Sequence, residues 1–250
     1  MADYFPFLIF LSGILSGFLN TVAGGGSLLI LPLLVFSGLE MGVANATNRV
    51  AILLQSVTAS RSFIRGGALE IREMLPVALV AALGSLAGTF VAIKLDEKAL
   101  RGAIGLVILL MAFLLVFRPT MWEERRALRL PRWLMIVIFF LIGVYGGFVQ
   151  AGVGFFLIWA LVGLGGRDLV QANAAKVFIV GCFTAVSLAL FASNGMVRLG
   201  TGLILACGSM IGAHLGARFT LTKSSRLIRW ILAMTVMASA GKMLWDAFGR

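Results

Sequence analysis

Apolar residues run unbroken for long stretches of this chain and give way to short basic clusters. No charged residue occurs between Tyr4 and Leu39, or between Trp133 and Gly166. Each stretch exceeds the roughly 20 residues that one membrane helix needs, so each must turn at or within the membrane. Leu75 to Ile93 and Leu199 to Ala217 have the length of single spans, the second with His214 as its one titratable group. The pattern predicts a Gly-rich helix at about 6 to 23, the glycine turn "AGGGS", and a short apolar piece interrupted by Pro32. A helix near 44 to 64 and spans near 74 to 93 and 99 to 117 follow. The same series returns at roughly 133 to 153, 156 to 165, 172 to 192, 199 to 217 and 227 to 245.

Composition sets the solvent. The chain has 250 residues, 60% hydrophobic and 12% charged, against roughly 25% charged in a soluble domain. So much apolar surface calls for lipid. The first span lacks the basic flank of a signal peptide, Asp3 being the only early charge. The net charge of +11 lies in the segments between apolar runs. That placement follows the positive-inside rule and excludes a nucleic-acid reading. Cys182 and Cys207 sit in apolar spans without a CxxC motif or a His beside them, and read as small packing residues.

The return of the series is an internal repeat. "GILSGFLNTVAGGG" from Gly13 lines up with "GVYGGFVQAGVGFF" from Gly143, which matches Gly17 to Gly147, Asn20 to Gln150 and Gly24 to Gly154. After a two-residue slip, "ANAT" from Ala44 meets "ANAA" from Ala172, and "LGSLAG" from Leu83 meets "IGAHLG" from Ile211. The organisation is a first membrane repeat at 1–117, a basic cytoplasmic linker at 118–132 and a second repeat at 133–250. Loops with Arg61, Arg65 and Arg72, and with Arg218, Lys223, Arg226 and Arg229, belong with the linker inside. Their repeat partners are poor in net positive charge. Partner loops on opposite sides mean inverted repeats, unless the short glycine-flanked pieces change the crossing number and make them parallel.

No catalytic set is visible. HExxH, GxSxG and Walker patterns are absent, and the ten acidic residues lie at or near span ends. An enzyme, a metal site and a cofactor are therefore not expected. What remains is polar groups at membrane depth. Asn20, Thr21 and Ser27 flank the glycine turn, and Asn45, Thr47, Asn48 and Arg49 open a helix. Gln150, Asn173 and Lys176 are the second-half counterparts. Asn45 and Asn173 are good helix N-cap residues, and helix N-termini attract anions. Arg49 and Lys176 have no acidic neighbour in sequence, so a bound anion would be their partner. The competing reading is that both snorkel to headgroups. Gln55 reads as a helix–helix hydrogen bond, and Ser16, Thr58 and Thr184 as packing residues. His214 is either a satisfied interior histidine or a proton-coupling group.

The stretches "GFLNTVAGGGSLLILPLL", "ANATNRVAILLQS", "RGGALE", "GVYGGFVQAGVGF" and "ANAAKV" resemble those of the TauE/SafE family, also called sulfite exporters. The likeness covers nearly the whole chain. It implies a bacterial-type inner-membrane protein of about eight spans that moves small sulfur-containing anions such as sulfite, sulfoacetate or thiosulfate.

The sequence reading is thus an all-α polytopic membrane protein of two homologous repeats, with about eight to ten membrane segments including short broken or re-entrant pieces. Its expected partners are a small anionic substrate and the bilayer, without nucleic acid, and a homo-oligomer stays open. The substrate site would hold Arg49 and Lys176 as cations and Asn45, Asn48, Asn173, Asn20 and Gln150 as hydrogen-bonding groups. Backbone N–H groups at Gly25 and Gly26 would assist, and His214 would be the candidate for proton coupling. A secondary exporter working by alternating access fits this best. The rivals are an anion channel, a membrane assembly subunit without a substrate, and a carrier of neutral solutes or metal cations.

Overall fold

A computed structural model describes residues 4–100, 102 and 131–223. Most of the span expected at 99 to 117, all but the end of the linker, and the span at 227 to 245 lie outside the described residues.

The described chain is helical. In order come α1 (Phe5–Val22), α2 (Ser27–Phe36), α3 (Met41–Arg65), α4 (Ile71–Lys94), α5 (Arg132–Phe148), α6 (Val153–Trp159), α7 (Leu169–Ser193) and α8 (Leu199–Thr222). A π-helical turn, Ala160–Leu164, extends α6. α1, α4, α7 and α8 are long and apolar enough to cross a membrane. α3 is as long as any of them, and it carries a buried polar stripe that includes Asn45, Asn48, Arg49 and Gln55. The outer helices expose large apolar side chains such as Leu11, Leu83, Phe90, Leu141 and Leu203. Apolar outside and polar inside is the arrangement a lipid solvent dictates.

Two helix ends differ from expectation. Asn45 and Asn173 are not caps. α3 starts at Met41, where the Glu97 carboxylate accepts hydrogen bonds from the backbone N–H of Met41 (2.7 Å) and Gly42 (3.3 Å). α7 starts at Leu169, where the Asp168 carboxylate accepts from Val170 N (2.8 Å) and Gln171 N (2.9 Å). A carboxylate complements the positive pole of a helix better than a neutral amide does. Both asparagines lie a turn further in.

The helices pack reciprocally. α1 lies along α8 as α5 lies along α4, α3 packs on α8 as α7 packs on α4, and α3 and α7 pack on each other. The close pairs are built on glycines four apart. A Cβ on Gly208 or Gly212 would overlap the carbonyl of Phe10 or Ile14, and one on Gly84 or Gly88 that of Phe140 or Val144. Small residues four apart let helix backbones approach this closely. These contacts equate Gly84 with Gly208, one turn from the register in which the sequence aligns Gly84 with Gly212.

Ascending contacts fix the running directions. Ser85 bonds the Phe183 carbonyl and Thr89 bonds Ser187, so α4 and α7 are parallel. Thr47 takes the Arg198 N–H and Ser62 meets His214, so α3 and α8 are parallel. One face of the bundle therefore collects Arg61, Arg65, Arg72, Arg218 and Lys223, with Arg167 paired to Glu73. Helices α1 and α2 form a hairpin that returns to the opposite face. Helices α5 and α6 form one that returns to the basic face.

The hairpin bends touch. Gly24, at φ +101°, would place a Cβ 2.7 Å from the Gly154 Cα, and these two glycines are also partners in the sequence repeat. Only glycine fits there, because both the positive φ and the backbone contact exclude a side chain. The helix–helix contacts are equally intolerant. Gly88→Ala should lower the stability of the detergent-purified protein by about 1–3 kcal/mol through overpacking. Gly200→Ala, with no atom within 4 Å of the added carbon, should be neutral or slightly stabilising. Thermal unfolding of the two variants checks this, and equal melting temperatures would contradict the close-packing account.

Candidate substrate site

Each hairpin leaves a helix C-terminus inside the bundle, and the last carbonyls of such a helix need donors. At the end of α5, the Tyr145 carbonyl takes the N–H groups of Val149 (2.9 Å) and Gln150 (3.4 Å). The next two carbonyls are met by Arg49 from α3, in the other half. Its Nη1 donates to the Gly146 carbonyl (3.1 Å), Gln150 Oε1 (2.6 Å) and Ser187 Oγ (3.0 Å), and its Nη2 donates to the Gly147 carbonyl (2.6 Å). The Phe191 ring lies 4.8 Å from the guanidinium carbon. Arg49 is fully buried, and its Nε has no partner among the described residues. Asn45, one turn before it, donates to the Phe148 carbonyl (2.8 Å).

The first half repeats the device. At the end of α1, the Leu19 carbonyl takes Ala23 N (2.7 Å) and Gly24 N (2.8 Å). Lys176 from α7 then donates its Nζ to the Thr21 carbonyl (2.9 Å), and Asn173 Oδ1 holds the same ammonium at 2.6 Å. Each half thus supplies a buried cation to the negative pole of a broken helix in the other half. Both cations were expected at helix N-termini facing an anion. The structure places them against helix C-termini, because unpaired carbonyls at depth need donors more urgently than a cation needs an anion.

A small cavity, with room for about one or two water molecules, lies between the hairpin bends. Asn20, Gly24, Ser27, Gln150, Gly154 and Lys176 reach it from around the bends, and Gln55 and Ser56 reach it from α3. Asn20 takes the Ser27 N–H on its Oδ1 (3.3 Å). Gln150 is the one non-glycine residue at positive φ among those described (φ 64°), and its Nε2 donates to Thr184 Oγ1 (2.7 Å). An ammonium has three N–H donors, and Lys176 directs two of them to protein oxygens.

Of the expected residues, the cavity therefore gathers Lys176, Asn20 and Gln150, with Asn173 positioning the lysine. Arg49, Asn45 and Asn48 are buried and do not line it. Gly25 and Gly26 form the turn without lining it either. His214 is neither interior nor near the cavity. It sits on the exposed side of α8, beside Ser62 at 3.3 Å. Gln55, read as a helix–helix hydrogen bond, instead lines the cavity, and its Oε1 has no partner among the described residues. Its neighbour Ser56, on the same α3 stripe, was missed for want of any charge or glycine beside it. Thr184, read as packing, anchors Gln150. Among the described residues no cluster of His, Cys, Asp or Glu could hold a metal ion.

Arg49→Met would leave the Gly146 carbonyl and Gln150 Oε1 without their arginine donor and the Gly147 carbonyl with Thr89 alone. It should cost ~3 kcal/mol or more of stability and lower the folded yield in detergent. A variant that melts with the wild type would show that the guanidinium does not hold α5.

The chain also has relatives. It is 29% identical to a "Probable membrane transporter protein" of Haemophilus influenzae, over 96% of this chain and 94% of that one. A protein of Escherichia coli with the same description is 28% identical, over 97% of this chain and 91% of its own length. One from Sinorhizobium is 26% identical, over 95% and 92%. No solved structure matches. Residues 9–243 match the family described as "Sulfite exporter TauE/SafE", and the chain belongs to that family of membrane transporters.

Proposed function

We propose that this transporter is a carrier of small sulfur-containing oxyanions, with Lys176 as the counter-charge in the cavity between the hairpin bends. One observation carries the reading. Lys176 is a fully buried cation that lines the cavity, and its visible partners are neutral oxygens. A lone positive charge at membrane depth marks a substrate path. Sulfite, sulfoacetate or thiosulfate would place an oxygen against the remaining lysine N–H and others against Ser27 and Ser56. Arg49 then has a positioning role. It holds α5, and with it Gln150, at the cavity wall.

We further infer that the two halves are inverted repeats in a multi-pass protein of the inner membrane. Support comes from the opposite running directions of α3 and α7 and of α4 and α8. The basic face, with Arg132 opening α5 beside it, takes the cytoplasmic side by the positive-inside rule. Broken helices meeting at the centre are the usual setting for alternating access. The cavity is too small for an oxyanion of four or more heavy atoms, so loading requires the hairpins to part. A negative-inside potential favours expulsion of an anion by about 2.3 kcal/mol per charge per 100 mV, which permits export without a coupling ion.

Thermal unfolding in detergent against sulfite, thiosulfate, sulfoacetate, taurine, sulfate and chloride tests the site. A ligand bound only by the folded state raises stability with concentration, by about 2.7 kcal/mol at a hundredfold excess over Kd. One or more sulfur oxyanions should stabilise the wild type, and a folded Lys176→Gln variant should lose the response. A Lys176→Gln response equal to the wild type would remove Lys176 from the site. In proteoliposomes, saturable flux with counterflow would support a carrier, and non-saturating flux would favour the channel.

A further inference from the structure

The cavity holds three side-chain amides, and two of them are committed. Gln150 accepts from Arg49 Nη1 at 2.6 Å and donates to Thr184 Oγ1 at 2.7 Å, so its oxygen and nitrogen are both fixed. Asn20 accepts from the Ser27 N–H at 3.3 Å and donates at 3.5 Å to Ser16 Oγ and Ser27 Oγ. Gln55 is the third. It is 5% exposed, it lines the same cavity as Lys176, and its Oε1 is fully buried with no hydrogen-bond partner among the described residues. Neighbouring α3 side chains on the cavity wall, Ile52 and Ser56, leave that oxygen unanswered.

A buried acceptor without a donor is costly to leave unmade. Leucine or methionine at this position would pack the wall without that penalty. A glutamine held there gains something in another state of the protein, and the cavity it faces is where substrate is read to bind. We propose that Gln55 is a specificity-determining residue of the site, whose carbonyl accepts a hydrogen bond from a donor group carried by the anion. The favoured substrate class is then an oxyanion with its own O–H or N–H, such as a protonated oxyanion or a hydroxy- or amino-sulfonate. This rests on the anion-site reading above. Lys176 supplies affinity for the charged end, and Gln55 discriminates by the donor. A site built to pair a donor rejects the analogue lacking it far more strongly than an apolar pocket rejects an added hydroxyl.

Two sulfonates of equal charge and similar size separate the two roles. Isethionate carries a hydroxyl where 1-propanesulfonate carries a methyl group. Binding of each to detergent-purified protein, measured by calorimetry, should favour isethionate about tenfold or more in the wild type, the factor that one satisfied buried hydrogen bond supplies. In Gln55→Met the ratio should fall to about one, with Lys176-dependent binding of both retained. The unliganded Gln55→Met protein should melt at or above the wild-type temperature, because a buried orphan is removed. Equal binding of the two sulfonates by the wild type, or an unchanged preference in Gln55→Met, would overturn the role of Gln55 and leave the anion site standing. A lower melting temperature for unliganded Gln55→Met would assign the residue to packing. If both sulfonates bind Lys176→Gln as they bind the wild type, or neither binds the wild type while sulfite and thiosulfate also fail, the anion-site reading falls, and this inference falls with it.

Discussion

Unpaired helix-end carbonyls inside a bilayer are the constraint around which this bundle is arranged. A helix that stops within lipid exposes acceptors that water would satisfy elsewhere. Here two helices stop inside, α1 at Val22 and α5 at Phe148. The donors come from cations on the opposite half: Lys176 on the Thr21 carbonyl, Arg49 on the carbonyls of Gly146 and Gly147. The arrangement also answers the cations, since each meets the negative pole of a helix rather than an unscreened low-dielectric interior. Breaks and cations stabilise one another, and neither would be tolerable alone.

Glycine geometry follows from the same requirement. For a lysine or arginine on α7 or α3 to reach a helix end across the bundle, the broken helices must lie close to their neighbours. The four-residue glycine spacing on α4 and α8 removes the side chains that would hold them apart. At the centre, Gly24 and Gly154 let the bends themselves meet. The cavity is the space left beside that contact, which is why its walls come from both hairpins as well as from α3 and α7.

Much of this was legible in the sequence, for identifiable reasons. Charge-free runs and the glycine turns gave the described helices and breaks to within five residues, because lipid leaves so few alternatives. The repeat marked Gly24 and Gly154 as equivalents, and the structure adds that they touch. Two kinds of feature were not legible. Two helix starts were placed three residues late because Asn45 and Asn173 imitate caps, while one true cap, Glu97, arrives from a distant segment. The partners of Arg49 were hidden because backbone carbonyls are donor sinks with no side-chain signature. A search for acidic neighbours finds none, and an anion then looks necessary. Gln55 gave no signal because an amide in a membrane helix is as easily a packing bond as a ligand contact, and only its unpartnered oxygen separates the two.

The two cations, one position apart in the repeat, are unequal in what remains to them. The guanidinium of Arg49 directs both terminal nitrogens to four acceptors and leaves only Nε, a group enclosed by the chain. The ammonium of Lys176 meets two acceptors and borders the cavity. A planar fork suits a saturated structural clamp, and a compact three-donor head suits a clamp with one donor in reserve. On the proposed reading, the halves have therefore divided the work. Arg49 fixes α5 so that Gln150 keeps its left-handed conformation at the wall, and Lys176 holds α1 while meeting the substrate.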